Sequence, residues 1–210
     1  LFGFATEVPA LTEDVDVAIP ARLLDAHGRE IVDTLAALGF AHEAGTATFV
    51  AGDGTTFDLL GYGASKDGDH IAGSGVLRVM VFEDISRVAG EADATTPVEG
   101  GGRALSPAGF VATKLLTERA HKGTKDKIQA LLVIDERADD PTFASELAGL
   151  LRTFGAVRLE DVRAAAQDAL IALSQDPGFR DAGAEGYSSM RARVARGRAR
   201  LERIMEELLG

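Results

Sequence analysis

Hydrophobic and polar residues alternate through Asp14-Val15-Asp16-Val17-Ala18-Ile19. That is the period of a strand, with Val15, Val17 and Ile19 on one face and Asp14 and Asp16 on the other. Pro20 ends it. From 21 to 38 the period lengthens: Leu23, Leu24, Ile31, Leu35 and Leu38 recur at helical spacing, and Gly39 stands where a C-cap belongs. Gly28 weakens the middle, so two helical pieces are expected there. Residues 46–62, TATFVAGDGTTFDLLGY, carry two β-rich runs around Gly52-Asp53-Gly54, the chemistry of a hairpin turn. A polar, glycine-rich loop is expected over 63–75, then a strand over 76–82.

The second half changes character. A flexible stretch, 89–103, includes Gly100-Gly101-Gly102 and reads as a linker. Ser106-Pro107 then offers an N-cap followed by proline at the first helical position. Helices are expected over about 107–121, 124–135, 140–153, 159–174 and 188–209. In the last, Met190, Val194, Gly197, Leu201, Ile204 and Leu208 form a seam for another helix, within the chain or in a second copy. No internal repeat is visible.

The chain has 210 residues, 46% of them hydrophobic, enough for one good core and a smaller second lobe. The absence of cysteine removes disulfide and thiolate chemistry and fits a cytoplasmic protein. No apolar run approaches a membrane span, and no signal-peptide pattern is present. A start at Leu1 rather than methionine points to a trimmed chain. The net charge of −11 argues against nonspecific coating of nucleic acid, though it permits a local basic patch. His27, His42, His70 and His121 lie far apart, without zinc-ligand spacing, and read as surface or packing residues.

The acids of the first strand stand out. Two apart on a strand, Asp14 and Asp16 point the same way, about 7 Å apart at Cα. Their oxygens can approach to about 5 Å, where like charges repel by about 3 kcal/mol at an effective dielectric near 20. A divalent cation would relieve that repulsion, and magnesium prefers carboxylate and phosphate oxygens. Asp58, inside the apolar run TTFDLLG, is the candidate third ligand, since a mid-strand acid needs a partner or a cation. The plainer alternative makes 11–16 a solvated acidic turn and Asp58 a residue facing water on a half-exposed hairpin.

The segment LFGFATEVPALTEDVDVAIP, the helix ending LAALGF and the hairpin with FDLLGY together resemble the nucleotidyltransferase-fold proteins. Within these the resemblance is to the branch related to the AbiEii-type toxins of bacterial toxin–antitoxin systems. That branch shows a Thr-x-Asp-h-Asp-h strand, with h apolar, matched by Thr12 to Val17. A third acid on a later strand matches Asp58, a helical lysine matches Lys114, and a Lys-Asp step matches Lys125-Asp126. The likeness covers roughly residues 1–135. It departs at one place: the family's Gly-Gly or Gly-Ser pair, ten to twenty residues before the aspartates, is absent. Gly3 stands alone, so the phosphate cradle is either lost upstream or degenerate.

The resemblance implies an α/β nucleotidyltransferase-like mixed sheet with flanking helices over 1–105, followed by a helical region over 106–210. It implies two Mg²⁺ or Mn²⁺ ions on Asp14, Asp16 and Asp58. These would bind an NTP and activate an acceptor hydroxyl for in-line attack on the α-phosphorus. Lys114 and Lys125 would neutralise phosphate charge, unless they are solvated helix lysines. Thr12 would bond a phosphate or end the preceding loop, and Asp126 would belong to the site or cap and pair locally. An RNA or protein acceptor and an antitoxin partner are implied in the same way. A catalytically degenerate member acting as a binding or regulatory module is the alternative, favoured by the missing glycine pair.

Arg191, Arg193, Arg196, Arg198, Arg200 and Arg203 crowd the last helix, with no acid among them before Glu202. They suit the phosphates of an RNA acceptor or an acidic partner. Equally, they can pair with acids elsewhere in the chain. Tyr187 is the sole aromatic nearby, so base stacking has little support.

Overall fold

In a computed structural model of the protein, residues 14–63, 68–82, 85, 88–97, 103–116, 123–173 and 183–209 are described, with the backbone alone at 14, 15, 92, 123, 124, 156, 157, 172, 183–188 and 209. Gly3, Thr12, His121 and the glycine tract read as a linker lie outside the described residues. The protein is α/β, with one mixed sheet and six helices among the described residues. It divides into two compact units, Leu1–Ser86 and Arg87–Gly210.

The first unit holds strands β1 (Asp14–Pro20), β2 (Ala41–His42), β3 (Thr48–Val50), β4 (Thr56–Tyr62), β5 (Gly68–Ala72) and β6 (Leu77–Val81), with helix α1 (Ala21–Ala37). β4 is the shared strand. β1 lies parallel to it along its whole length, from Asp14↔Thr56 to Pro20↔Tyr62. Since a strand has two edges, β3 and β6 divide the other. β3 pairs antiparallel at Thr48↔Asp58 and Val50↔Thr56, and β6 pairs parallel at Leu60↔Met80. Leu24 of α1 is fully buried with Phe49, Leu59, Val79 and Val81, and Val17, Ile19, Ile31, Val32 and Leu35 pack against them. Alternation sends the neighbouring residues Asp16, Asp58 and Thr48 to the opposite face.

Helix α1 is continuous through Gly28, correcting the expected break. The glycine is there for close approach: a Cβ on it would lie 2.8 Å from Gly73 Cα. Gly73 itself has φ +58, in a 3-10 turn after β5. The helix ends in a Schellman motif, with Gly39 N–H donating to Ala36 O and Phe40 N–H to Leu35 O, both at 3.0 Å. The hairpin turn forms around Gly52-Asp53-Gly54, where Asp53 Oδ1 accepts the Thr55 N–H at 2.9 Å. That bond holds the Asp53 carboxyl below its ordinary pKa. The polar loop expected over 63–75 contains β5, antiparallel to β6. Its polar side chains are matched across elements: Asp69 accepts from Arg78 Nε at 2.9 Å, and His70 Nε2 lies 2.8 Å from Asp25 Oδ1.

The second unit begins earlier than the boundary expected at 105. It includes the ribbon β7 (Thr95–Pro97) and β8 (Arg103–Leu105), where a flexible stretch was expected. The reason is close packing on α2 (Pro107–Leu116). Ser106 N–H donates to Ala94 O at 2.9 Å, and Ser106 Oγ donates to Asp93 O at 2.7 Å. A Cβ on Gly109 would come within 1.9 Å of Ala94 O. The same Ser106 Oγ accepts the Gly109 N–H at 3.0 Å and so caps α2. Beyond it lie α3 (Gly123–Glu136), α4 (Pro141–Arg152), α5 (Ala156–Leu173) and α6 (Gly183–Leu209). Asp140 caps α4 through the Thr142 and Phe143 N–H groups, with Pro141 at the first turn.

Helix α3 is buried around its circumference, with Ile128, Ala130, Leu131, Leu132, Val133 and Ile134 all inside, packed by α2, α5 and α6. The seam of α6 faces this core within the chain: Met190, Val194, Gly197 and Leu201 are buried, continued by Met205 rather than Ile204. Gly197 lets α6 approach so closely that a Cβ would stand 1.9 Å from Leu131 O.

Two alanine substitutions should therefore move in opposite directions. Gly149 of α4 has open space around its Cβ position, so Gly149→Ala should stabilise by about 0.5–1 kcal/mol through helix propensity. Gly197→Ala gains the same propensity but forces two helices apart, and should destabilise by about 1–3 kcal/mol. Urea denaturation midpoints check both, and a stabilised Gly197→Ala would contradict the packing described.

Candidate functional site

Asp16 of β1 and Asp58 of β4 are direct register partners on neighbouring parallel strands. Strand spacing puts their Cα atoms about 4.8 Å apart, with side chains on the same face. Asp16 is exposed and Asp58 is half-buried. On the other side of Asp58, its β3 partner Thr48 donates from Oγ1 to Asp58 Oδ1 at 2.5 Å. A row Thr48–Asp58–Asp16 thus crosses three strands. A second row, Ala18–Leu60–Met80, lies two residues along, and Met80 is 42% exposed. The acids thus share their face with an apolar strip.

The chemistry of this donor set suits a hard divalent cation. Carboxylate oxygens are the donors that Mg²⁺ and Mn²⁺ prefer. Like charges directly opposite in a sheet are destabilising, and a cation between them reverses the sign. Two described residues, Asp16 and Asp58, would hold the ion. Asp14, the third expected ligand, is in register with Thr56, and its side chain lies outside the description. Among the described residues, no group of three or more His, Asp or Glu side chains converges as a metal site.

The other expected residues belong to the second unit. Lys114 of α2 and Asp126 of α3 meet, with Lys114 Nζ donating to Asp126 Oδ1 at 2.6 Å. Their side chains are 18% and 4% exposed. Asp126 sits in the first turn of α3, where the helix dipole favours a negative charge, and its Oδ2 is buried without a hydrogen-bond partner. Lys114 Nζ also stands 5.6 Å from the centre of the Phe110 ring. Lys125 is exposed on α3. Lys127, two residues further on, is buried, and its Nζ donates to Lys114 O at 2.9 Å and Leu115 O at 2.5 Å. It satisfies carbonyls at the end of α2 that the helix leaves without partners.

The arginines of α6 largely pair within their own unit. Arg196 donates to both oxygens of Asp135, at 2.8 and 2.9 Å, and Arg193 reaches the same carboxylate at 3.4 Å. The Asp135 hydrogen bond and charge raise the Arg196 pKa above its ordinary value. Arg200 donates to Ala138 O and approaches Asp139, while Arg198 pairs with Glu202. Arg191 and Arg203 are exposed. Four of the six arginines thus face acids of the same unit.

Thr48 and Lys127 were not singled out from the sequence. Thr48 carried a signal: a hairpin centred on Asp53 pairs residues equally far on either side, and 58 then meets 48. Lys127 carried none beyond its place in an apolar helix, since its acceptors are carbonyls of another helix.

No family model, curated protein or solved structure matches the chain. No described helix is long and apolar enough to cross a membrane.

The Lys114–Asp126 pair is open to a double-mutant cycle. Lys114→Met leaves a buried carboxylate without its cation and should cost about 3 kcal/mol in urea unfolding. Adding Asp126→Leu should recover most of that loss, because it removes the stranded charge. A single variant as stable as the parent would mean that the pair carries no energy.

Proposed function

We propose that the protein is a divalent-metal-dependent nucleotidyltransferase that moves a nucleoside monophosphate from an NTP to an acceptor. One observation carries this reading: the in-register opposition of Asp16 and Asp58 on parallel neighbouring strands, on the face away from α1. Two carboxylates so placed repel one another, and a divalent cation shared between them would turn that repulsion into attraction. The Thr-x-Asp-h-Asp-h pattern, with Asp14 as a third ligand, and the resemblance of residues 1–135 to nucleotidyltransferase-fold proteins add support.

A bound cation supplies charge neutralisation for the triphosphate and for the oxygen that attacks phosphorus. The chain's own part is to place Asp16 and Asp58 opposite one another before any ligand arrives. Catalysis of phosphoryl chemistry rests mostly on such positioning and charge stabilisation. The acceptor is a hydroxyl of RNA, protein or a small molecule. Pairing of Arg193, Arg196, Arg198 and Arg200 with acids of their own unit leaves RNA with less support than the raw arginine count gives it. A non-catalytic binding module is the rival, favoured by the missing glycine pair in the sequence.

Incubation with each α-labelled NTP, Mg²⁺ or Mn²⁺, and total RNA or protein should transfer label to one acceptor class. Asp16→Asn and Asp58→Asn should each lower transfer by at least about 100-fold. Metal-dependent NTP binding without transfer by the parent protein would favour the binding module. The absence of both binding and transfer would overturn the reading.

A further inference from the structure

Asp58 has a neighbour on each side along its row, Thr48 from β3 and Asp16 from β1. The 2.5 Å bond from Thr48 Oγ1 to Asp58 Oδ1 has the length of a charge-assisted hydroxyl–carboxylate hydrogen bond. Without it, an aspartate carboxylate turns about its terminal torsion in a broad, two-fold well. With it, one oxygen is tied to the β3 side, which sets where the other lies. Thr48 is suited to this duty. It is β-branched and so stiff at χ1, it is half-buried, and its own N–H donates to Thr46 Oγ1 at 3.3 Å. An aspartate that binds metal generally needs such an outer partner, and losing it costs about 10–100-fold in metal affinity.

We infer that Thr48 is a positioning residue for the carboxylate pair: its hydroxyl holds Asp58 Oδ1 toward β3 and leaves Oδ2 on the β1 side, as a ligand oxygen for a divalent cation shared with Asp16. This deepens the proposed function and rests on its metal reading. The alternative is that the hydroxyl serves only the hairpin, as a cross-strand bond between β3 and β4.

The test is a Mn²⁺ titration of the full chain without nucleotide, following the free-Mn²⁺ paramagnetic resonance signal. Thr48→Val keeps the shape and removes the hydroxyl, and should weaken Mn²⁺ binding about tenfold. Thr48→Ser keeps the hydroxyl and should stay within about twofold of the parent. Metal-free melting curves confirm that the variants are folded; if the valine variant is not, Thr48→Ala is read in its place. Asp58→Asn should abolish binding at the site. Parent-like binding by Asp58→Asn would overturn the metal reading itself. Loss of binding in Asp58→Asn with parent-like binding in Thr48→Val would overturn the positioning role alone, and so would equal weakening by valine and serine.

Discussion

The register between β1 and β4 settles two things at once, because strand side chains alternate with a period of two. It sends Val17, Ile19 and Leu59 toward α1, and it sends Asp16 and Asp58 to the other face, opposite one another. A slip of β1 by one residue would turn its valines outward and its acids into the core. Each buried aliphatic side chain contributes about 1.5–3 kcal/mol. Several of them outweigh a carboxylate repulsion of about 3 kcal/mol at an effective dielectric near 20. Apolar burial therefore holds the acids in a placement that their own charges oppose. The fold needs no cation to assemble this pair.

A different balance operates in the second unit. Helix α3 is its centre, and it brings Asp126, Lys127 and Gln129 into the interior along with its aliphatic residues. The two charged residues find partners on α2: Asp126 meets Lys114, and Lys127 meets the carbonyls of Lys114 and Leu115. At the far end of α3, Asp135 gathers Arg193 and Arg196 from α6. The helices are thus joined by aliphatic packing in the middle of α3 and by charge at both its ends. Arg193 and Arg196 of α6 serve this joint, so part of the helix's positive charge is spent within its own unit.

Much of the first unit was legible because its signals are local. The alternation of β1, the Schellman glycine of α1 and the Gly52-Asp53-Gly54 turn each depend on residues close in sequence. The opposition of Asp16 and Asp58 was an expectation from an acid in an apolar run. β5 was missed because Gly68-Asp69-His70 reads as loop until Arg78 and Asp25 are in place to match it. The ribbon of β7 and β8 was missed because its strands are short and include Pro97; its anchor is a backbone carbonyl, Ala94 O, that no side-chain pattern announces. Thr12 and the side chain of Asp14 lie outside the described residues, and the roles of Lys114 and Lys125 toward phosphate remain expectations. The pairing of Lys114 with Asp126 depends on the meeting of two helices, which neither segment encodes alone.

Gly28 and Gly73 touch at their backbones, each occupying the volume that a Cβ on the other would need. No residue is smaller than glycine. An enlargement at either position therefore has no compensating reduction at the other, and only displacement of the whole helix or of the turn could absorb it. Co-variation between the two positions is ruled out by geometry. In a set of diverging descendants both columns would stay invariant, and they would betray their contact by silence rather than by correlated change.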